Sequence, residues 1–309
     1  MRIGYFCMES VFSVRPLEAL LREGHDVRFV LRPIGPLSSR KEPVLRRHRG
    51  FDVGWRRLLG IADDTGANPF EVAADRDIPA WLCGDASSPA VQRLVEREEL
   101  DVIVVAFFNQ LLKPAVFARP RLGTLNLHPS LLPCYRGPAP LFWTYRDGCE
   151  EAGLTCHLVA EGEDNGAILC QERLPLPLGT AGEDLVDTLA ETAAATLPEL
   201  LRSLANGLTR GTPQEHDHAT RAPRAGIGDL IIDGSMPARR IFHFARGVGR
   251  WNTLVCPIGG EQLRVLDAVS FDDHGRIPGE HARIGDVLHL GTVEGIVALQ
   301  VRSLSGSGL

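Results

Sequence analysis

L-D-V-I-V-V-A-F-F, Leu100 to Phe108, is apolar at every position but Asp101. A strand with one face in water alternates apolar and polar side chains, so a run this continuous predicts a strand covered on both faces. Such strands belong to parallel sheets whose crossover helices cover them. The flanking sequence agrees. Ile78–Cys83 reads as a strand and Ser88–Glu98 as a helix before it, and Leu122–His128 as a strand after it. At the start of the chain, Arg2–Cys7 and His25–Leu31 read as strands. Between them S-V-R-P-L-E-A-L-L-R-E-G reads as a helix, with leucines at 17, 20 and 21 and Gly24 as its stop. Strand and helix alternate, which predicts an α/β fold built on a parallel sheet.

Beyond His128 the pattern continues with a helix over Ala139–Arg146. Paired strands, Gly153–Ala160 and Ala167–Leu176, flank the turn E-G-E-D-N-G. Glu183–Leu204 is a long amphipathic helix in which Pro198 predicts a kink or a break. Residues 207–228 are rich in Gly, Pro, Thr and His and read as a linker. A helix from Pro237 then precedes short strands at Thr253–Ile258, Gln262–Ser270, Asp286–Leu290 and Gly295–Val301, the texture of a small, mostly β, barrel-like domain. The expected boundaries are 1–206, a linker at 207–228, and 229–309. With 309 residues, two cores are the ordinary expectation.

Composition narrows the classes. Hydrophobic residues make up 44% and charged residues 23%, which suits a globular protein. A net charge of −6 argues against binding polyanions through bulk electrostatics. One segment runs against that trend, with Arg40, Lys41, Arg46, Arg47, Arg49, Arg56 and Arg57 close together. Seven scattered cysteines with no C-x-x-C pair argue against a disulfide framework. Neither a signal-peptide pattern nor an 18-residue apolar run is present, so a cytoplasmic protein with no membrane partner is expected.

The chemistry concentrates in N-L-H-P-S-L-L-P-C-Y-R-G-P-A-P, Asn126 to Pro140. Asn126 and His128 stand two apart at a strand end and project to one side, and Pro129 stops the strand. In open α/β sheets ligands sit beyond the carboxyl ends of the strands. An amide and an imidazole there suit acyl-group chemistry, the first donating to an oxyanion and the second handling a proton. Asp164, in the acidic turn, is the candidate third member. A structural histidine and a solvated hairpin are the competing readings of the separate pieces. His216-Asp217-His218 has no third ligand nearby, so no metal is expected. Cys134 is not needed as a nucleophile.

The Asn126–Pro140 run, with Asp164-Asn165-Gly166 placed 36 positions after His128, resembles the signature of the folate-dependent formyltransferases. That resemblance implies a Rossmann-like catalytic domain and transfer of a formyl group from 10-formyltetrahydrofolate to a primary amine. It implies a catalytic set of Asn126, His128 and Asp164. It also implies folate contacts from Phe108, Asn109, Gln110 and Leu111 and from Gly162 and Glu163. Ser130, Tyr135, Arg136 and Gly137 form the wall on the acceptor side and are the expected substrate contacts.

The acceptor is the open part. The enzyme of that family that acts on methionyl-tRNA usually begins G-T-P-x-F-A and carries R-W-R-G-A-A-P-I, where this chain has G-Y-F-C-M-E-S and Cys134 to Leu141. The Y-R-G-x-A-P-L-x-W pattern through Trp143 resembles enzymes acting on amino sugars or hydroxyornithine-like amino acids. A small-molecule amine is therefore the expected acceptor. Methionyl-tRNA is the alternative, supported by the Arg40–Arg57 segment, and a 10-formyltetrahydrofolate hydrolase or folate-binding module is the second alternative. Three roles stand open for the C-terminal part: holding the acceptor, packing in a homodimer, or bracing the first domain.

Overall fold

The computed structural model describes residues 1–34, 45–48, 68–277 and 279–304. An eight-stranded sheet dominates it. In chain order, β1 (Arg2–Cys7), α1 (Val11–Arg22) and β2 (Asp26–Pro33) form the opening crossover unit. Ser10 caps α1 by accepting from the Phe12 amide at 3.2 Å, and Phe12, Leu17 and Leu20 carry its buried face. Then follow β3 (Leu45–Arg47), α2 (Pro69–Ala74), β4 (Ala80–Cys83), α3 (Pro89–Glu98), β5 (Val102–Ala106), α4 (Pro114–Phe117) and β6 (Thr124–His128). Every residue of β5 is buried, as its unbroken apolar run requires.

The strand order is β3-β4-β2-β1-β5-β6, extended by β7 (Glu151–Leu158) and β8 (Ile168–Pro175). β4, β2, β1, β5 and β6 are parallel neighbours, and β3 and β7 run antiparallel to their partners β4 and β6. From β1 the chain builds outward to β2 on one side and later to β5 on the other. That reversal creates the crevice at the carboxyl ends of the strands where ligands bind in such sheets.

After β8 comes α6 (Gly182–Ala205), one continuous helix. Of the kink or break expected at Pro198, the break does not occur. Proline removes one intrahelical donor, while Leu185, Leu189, Leu197, Leu200 and Leu201 are buried on both sides of it and hold the helix together.

The described residues fall into two compact units that do not follow chain order. The first comprises Met1–Arg136, Gly153–Arg173 and Val186–Thr220, and the second comprises Gly137–Ala152, Leu174–Leu185 and Arg221–Leu309. The second unit thus takes pieces of the span 1–206. Within it, α5 (Pro140–Arg146) packs on α7 (Ala238–Val248). Phe142 meets Phe244 edge-on at 5.3 Å. A Cβ on Gly247 would lie 2.0 Å from the Tyr145 ring, so the close approach of the two helices requires glycine there.

The second unit also carries a five-stranded antiparallel sheet: β9 (Leu254–Ile258), β10 (Glu261–Asp272), β11 (His281–Ile284), β12 (Val287–Gly291) and β13 (Ile296–Ser303), in the order β11-β12-β13-β10-β9. Register shifts in β10 bend it. At the edges, a Cβ on Gly259 would come within 3.8 Å of His281 Nε2, so the sheet curls toward closure. β11 is absent from the sequence reading because all four of its residues are exposed and leave no alternation. No helix among the described residues is long and apolar enough to cross a membrane.

Candidate active site

β6 and β7 pair with Asn126 opposite His157 and His128 opposite Thr155. The chain after β6 folds back over its own strand end. The Ser130 amide bonds the His128 carbonyl at 2.9 Å, and the Ser130 hydroxyl donates to the Cys134 carbonyl at 2.7 Å. This wrap brings the Tyr135 carbonyl within 2.9 Å of His128 Nε2, with Tyr135 itself at φ +60°. A carbonyl can only accept, so Nε2 carries a hydrogen and the neutral ring presents the lone pair of Nδ1. That nitrogen lies 3.6 Å from Asp164 Oδ2. His128 is 4% exposed, and burial lowers its pKa below the ordinary 6.5, while the Asp164 carboxylate pulls the other way. The ring therefore stands neutral but next to a charge that rewards protonation.

His157, 1% exposed, completes the cluster. Its Nδ1 lies 2.9 Å from the Leu158 carbonyl and must donate, which leaves Nε2 as an acceptor. Asn126 Nδ2 lies 3.1 Å from that nitrogen and 3.2 Å from Asp164 Oδ1. Both neighbours are acceptors, so the amide nitrogen, with its two hydrogens, has to face them. Asn126, His157 and Asp164 thus form one hydrogen-bonded group, and His128 Nδ1 stands 3.6 Å from its carboxylate.

Local backbone rules place Asp164. It sits at φ +48°, a left-handed conformation that aspartate tolerates better than most residues. Asn165 donates to the Glu161 carbonyl at 2.8 Å, beneath Gly162 at φ +107°. A Cβ on Gly166 would lie 1.8 Å from the Leu158 carbonyl oxygen, so glycine is obligatory. Gln214 closes the turn, donating from Nε2 to the carbonyls of Asp164 at 2.8 Å and Gly166 at 2.7 Å.

The structure disperses the other expected site residues among several tasks. Phe108 packs on Phe6 at 5.5 Å between ring centres. Gln110 ties the loop after β4, accepting from the Ala86 amide at 2.9 Å and donating to the Gly84 carbonyl at 3.0 Å. Asn109 Oδ1 is buried with no donor among the described residues, and Leu111 is 60% exposed. Glu163 is partly buried beside Asp164. Ser130 is buried and braces the motif. Tyr135 takes its amide to Thr220 Oγ1 at 2.8 Å, and Arg136 turns to Gln214 at 3.0 Å from Nε. Gly137, at φ +114°, opens the second unit.

His216 Nδ1 lies 3.2 Å from Arg136 Nη2, and His218 Nδ1 lies 3.0 Å from Glu215. Among the described residues no group of three or more His, Cys, Asp or Glu side chains could hold a metal ion. Of the basic segment, Arg46 and Arg47 stand exposed on β3; Arg40, Lys41, Arg49, Arg56 and Arg57 lie outside the described residues.

A family model described as "Formyl transferase" matches residues 66–201. The chain is 32% identical over 245 residues to methionyl-tRNA formyltransferase of Synechococcus sp. (strain JA-3-3Ab), covering 76% of each chain. It is 31% identical over 306 residues to methionyl-tRNA formyltransferase of Roseiflexus castenholzii, covering 97% of this chain and 91% of that one. In fold it matches WlaRD, a sugar 3N-formyl transferase whose structure was solved in the presence of dTDP and 5-N-formyl-THF, with a TM-score of 0.68 over 99% of both chains at 13% identity. Its sequence likeness to the two tRNA enzymes, together with the shared fold, assigns this chain to the folate-dependent formyltransferase family.

Proposed function

We propose that this protein formylates the amine of methionyl-tRNA, with 10-formyltetrahydrofolate as the donor, in the cytoplasm where charged tRNA is used. This corrects the small-molecule acceptor expected from the Tyr135–Trp143 pattern. The correction rests on relatives at 32% and 31% identity, matched over 76% and 97% of this chain, that are methionyl-tRNA formyltransferases. A few departures in one wall are a weaker signal than likeness sustained along the chain.

The hydrogen-bonded group around Asn126 supports the chemistry. The amine attacks the formyl carbon, the carbonyl π pair moves to oxygen, and a tetrahedral oxyanion forms. Asn126 donates to it, exchanging its 3.2 Å bond to Asp164 for the stronger pull of the developing charge. Negative charge on the intermediate favours protonation of His128, which burial keeps neutral beforehand. Asp164 holds the imidazolium, and the proton shed by the amine passes through this pair to the folate nitrogen as its bond to the formyl carbon breaks. His157 fixes the Asn126 amide. On the donor side, the orphan acceptor Asn109 Oδ1 suits an N–H of the pterin ring, and exposed Leu111 supplies apolar contact.

The test is formylation of charged initiator tRNA. Formyl-methionyl-tRNA is expected. Two or three phosphate contacts from the basic segment would lower affinity about ten- to fortyfold between roughly 50 and 200 mM salt. Turnover of a small amine with no tRNA product would overturn the reading.

A further inference from the structure

We propose that Gln214, in the segment read as a linker, is a positioning residue that sets Asp164 against His128. It rests on the assignment of Asp164 and His128 above. Gln214 is 6% exposed and uses its whole amide. Nε2 donates to the Asp164 carbonyl at 2.8 Å and the Gly166 carbonyl at 2.7 Å. Oε1 accepts from Arg136 Nε at 3.0 Å and Nη2 at 2.5 Å. One side chain therefore joins the two segments that carry the chemistry: the Asn126–Arg136 motif and the Asp164 turn.

The strap that carries Gln214 is itself pinned. Thr212 and Ile168 exchange backbone hydrogen bonds of 2.8 Å, and the Thr220 carbonyl accepts from the Arg136 amide at 2.9 Å. Gln214 is held between these anchors, so its amide is a fixed template. The Asp164 backbone needs one. At φ +48° it occupies a left-handed conformation that a non-glycine residue keeps only when its surroundings over-determine it. In that conformation Oδ1 reaches Asn126 at 3.2 Å and Oδ2 lies 3.6 Å from His128 Nδ1. Without the amide, the two carbonyls lose their common donor, the turn relaxes, and the carboxylate withdraws from His128.

The charged and polar groups around the His128 ring are Asp164, Glu163, His157 and the Tyr135 carbonyl. Asp164 is the strongest of them in favouring the protonated ring. Its withdrawal moves the loss of the His128 proton to lower pH.

Gln214→Met keeps the length and removes every hydrogen bond. It is expected to lower kcat about tenfold while KM for 10-formyltetrahydrofolate changes less than about twofold, roughly the effect of one lost positioning bond. Because His128 must be neutral to take the amine's proton, the acid limb of kcat/KM is expected to move to lower pH. In parallel, NMR titration of the His128 ring, with no substrate present, should show the same direction. Gln214→Asn, which keeps an amide one methylene shorter, should fall between; it also carries both readouts if the methionine variant does not fold. A kcat loss with an unmoved limb and an unmoved His128 titration overturns the proposal and leaves Gln214 a structural brace. Asp164→Asn, assayed alongside, separates the two readings. Wild-type turnover in it removes the catalytic assignment, whereas loss of turnover in it together with an unmoved Gln214→Met titration removes the Gln214 role alone.

Discussion

Asn126 on β6 and His157 on β7 are directly opposed cross-strand partners, and Asn126 Nδ2 lies 3.1 Å from His157 Nε2. This pairing fixes which end of the Asn126 amide faces the site. Removing the amide in Asn126→Ala should reduce kcat by about 10²–10³, the usual effect of deleting an oxyanion donor. His157→Phe leaves the donor in place but frees it to rotate, so a smaller loss, about tenfold in kcat, is expected. Steady-state kinetics of the two variants check this; equal losses would mean that His157 does more than hold Asn126.

Acid should destabilise the fold through two buried rings. Burial lowers the pKa of His128 and His243 below 6.5. The folded protein therefore binds these protons more weakly than the unfolded chain. Their contribution is complete above about pH 6.5 and is lost as pH falls through the lowered values. His243 has a structural reason as well: its Nδ1 accepts from the Gly179 amide at 3.0 Å, a role that a protonated ring gives up. Urea midpoints measured from pH 7.5 to 5.0 should fall, and His243→Gln should flatten part of that slope. A constant midpoint would contradict the prediction.

Gly166→Ala should damage folding and catalysis together. The added Cβ would lie 1.8 Å from the Leu158 carbonyl oxygen, and backbone on both sides must move to admit it. A cost of about 1–3 kcal/mol is typical for overpacking of this kind. Because the displaced turn carries Asp164, turnover should drop even at temperatures where the variant is folded. Denaturant melts and activity assays on the same preparation would show whether the two losses travel together.

Cys156 and Cys170 should differ as nucleophiles. Their thiols share a hydrogen bond across β7 and β8, which lowers the pKa of Cys170 and raises that of buried Cys156. Brief treatment with iodoacetamide at neutral pH should label Cys170 ahead of Cys156 in peptide mass spectra. Cys156→Ala removes the hydrogen bond and should slow labelling of Cys170; faster labelling would show that access, not acidity, controls it.

The parts of the molecule that the sequence revealed are those coded by neighbours along the chain. Asn126 and His128 stand out because Pro129 ends the strand beneath them, and Asp164 stands out because a glycine turn presents it. His157 sits between Cys156 and Leu158 in a strand of apolar neighbours, where it reads as a core residue. The alternation of Thr155 with His157, opposite His128 and Asn126, was the signal that could have found it. Gln214 had no such signal, since its partners lie 50 and 78 residues away and only the folded chain brings them together. Distance also hid the partner of α5. The Ala139–Arg146 helix was legible from its own pattern, while its packing on Phe244 depends on a helix from the far end of the chain. The acceptor was misread because a short wall of differing residues outweighed the likeness of the whole chain.

The interleaving of the two units along the chain governs how the protein can be made and altered. Its second unit is assembled from three separate stretches, so no single cut releases it and no single crossover exchanges it. A truncation after residue 206 would strip α7 from Phe142 and Tyr145 and leave their apolar faces in water. During synthesis the same faces wait for a partner roughly a hundred residues downstream, a delay of about 5–20 s at ordinary elongation rates. Recombination within such a protein has to exchange both units as one inherited block.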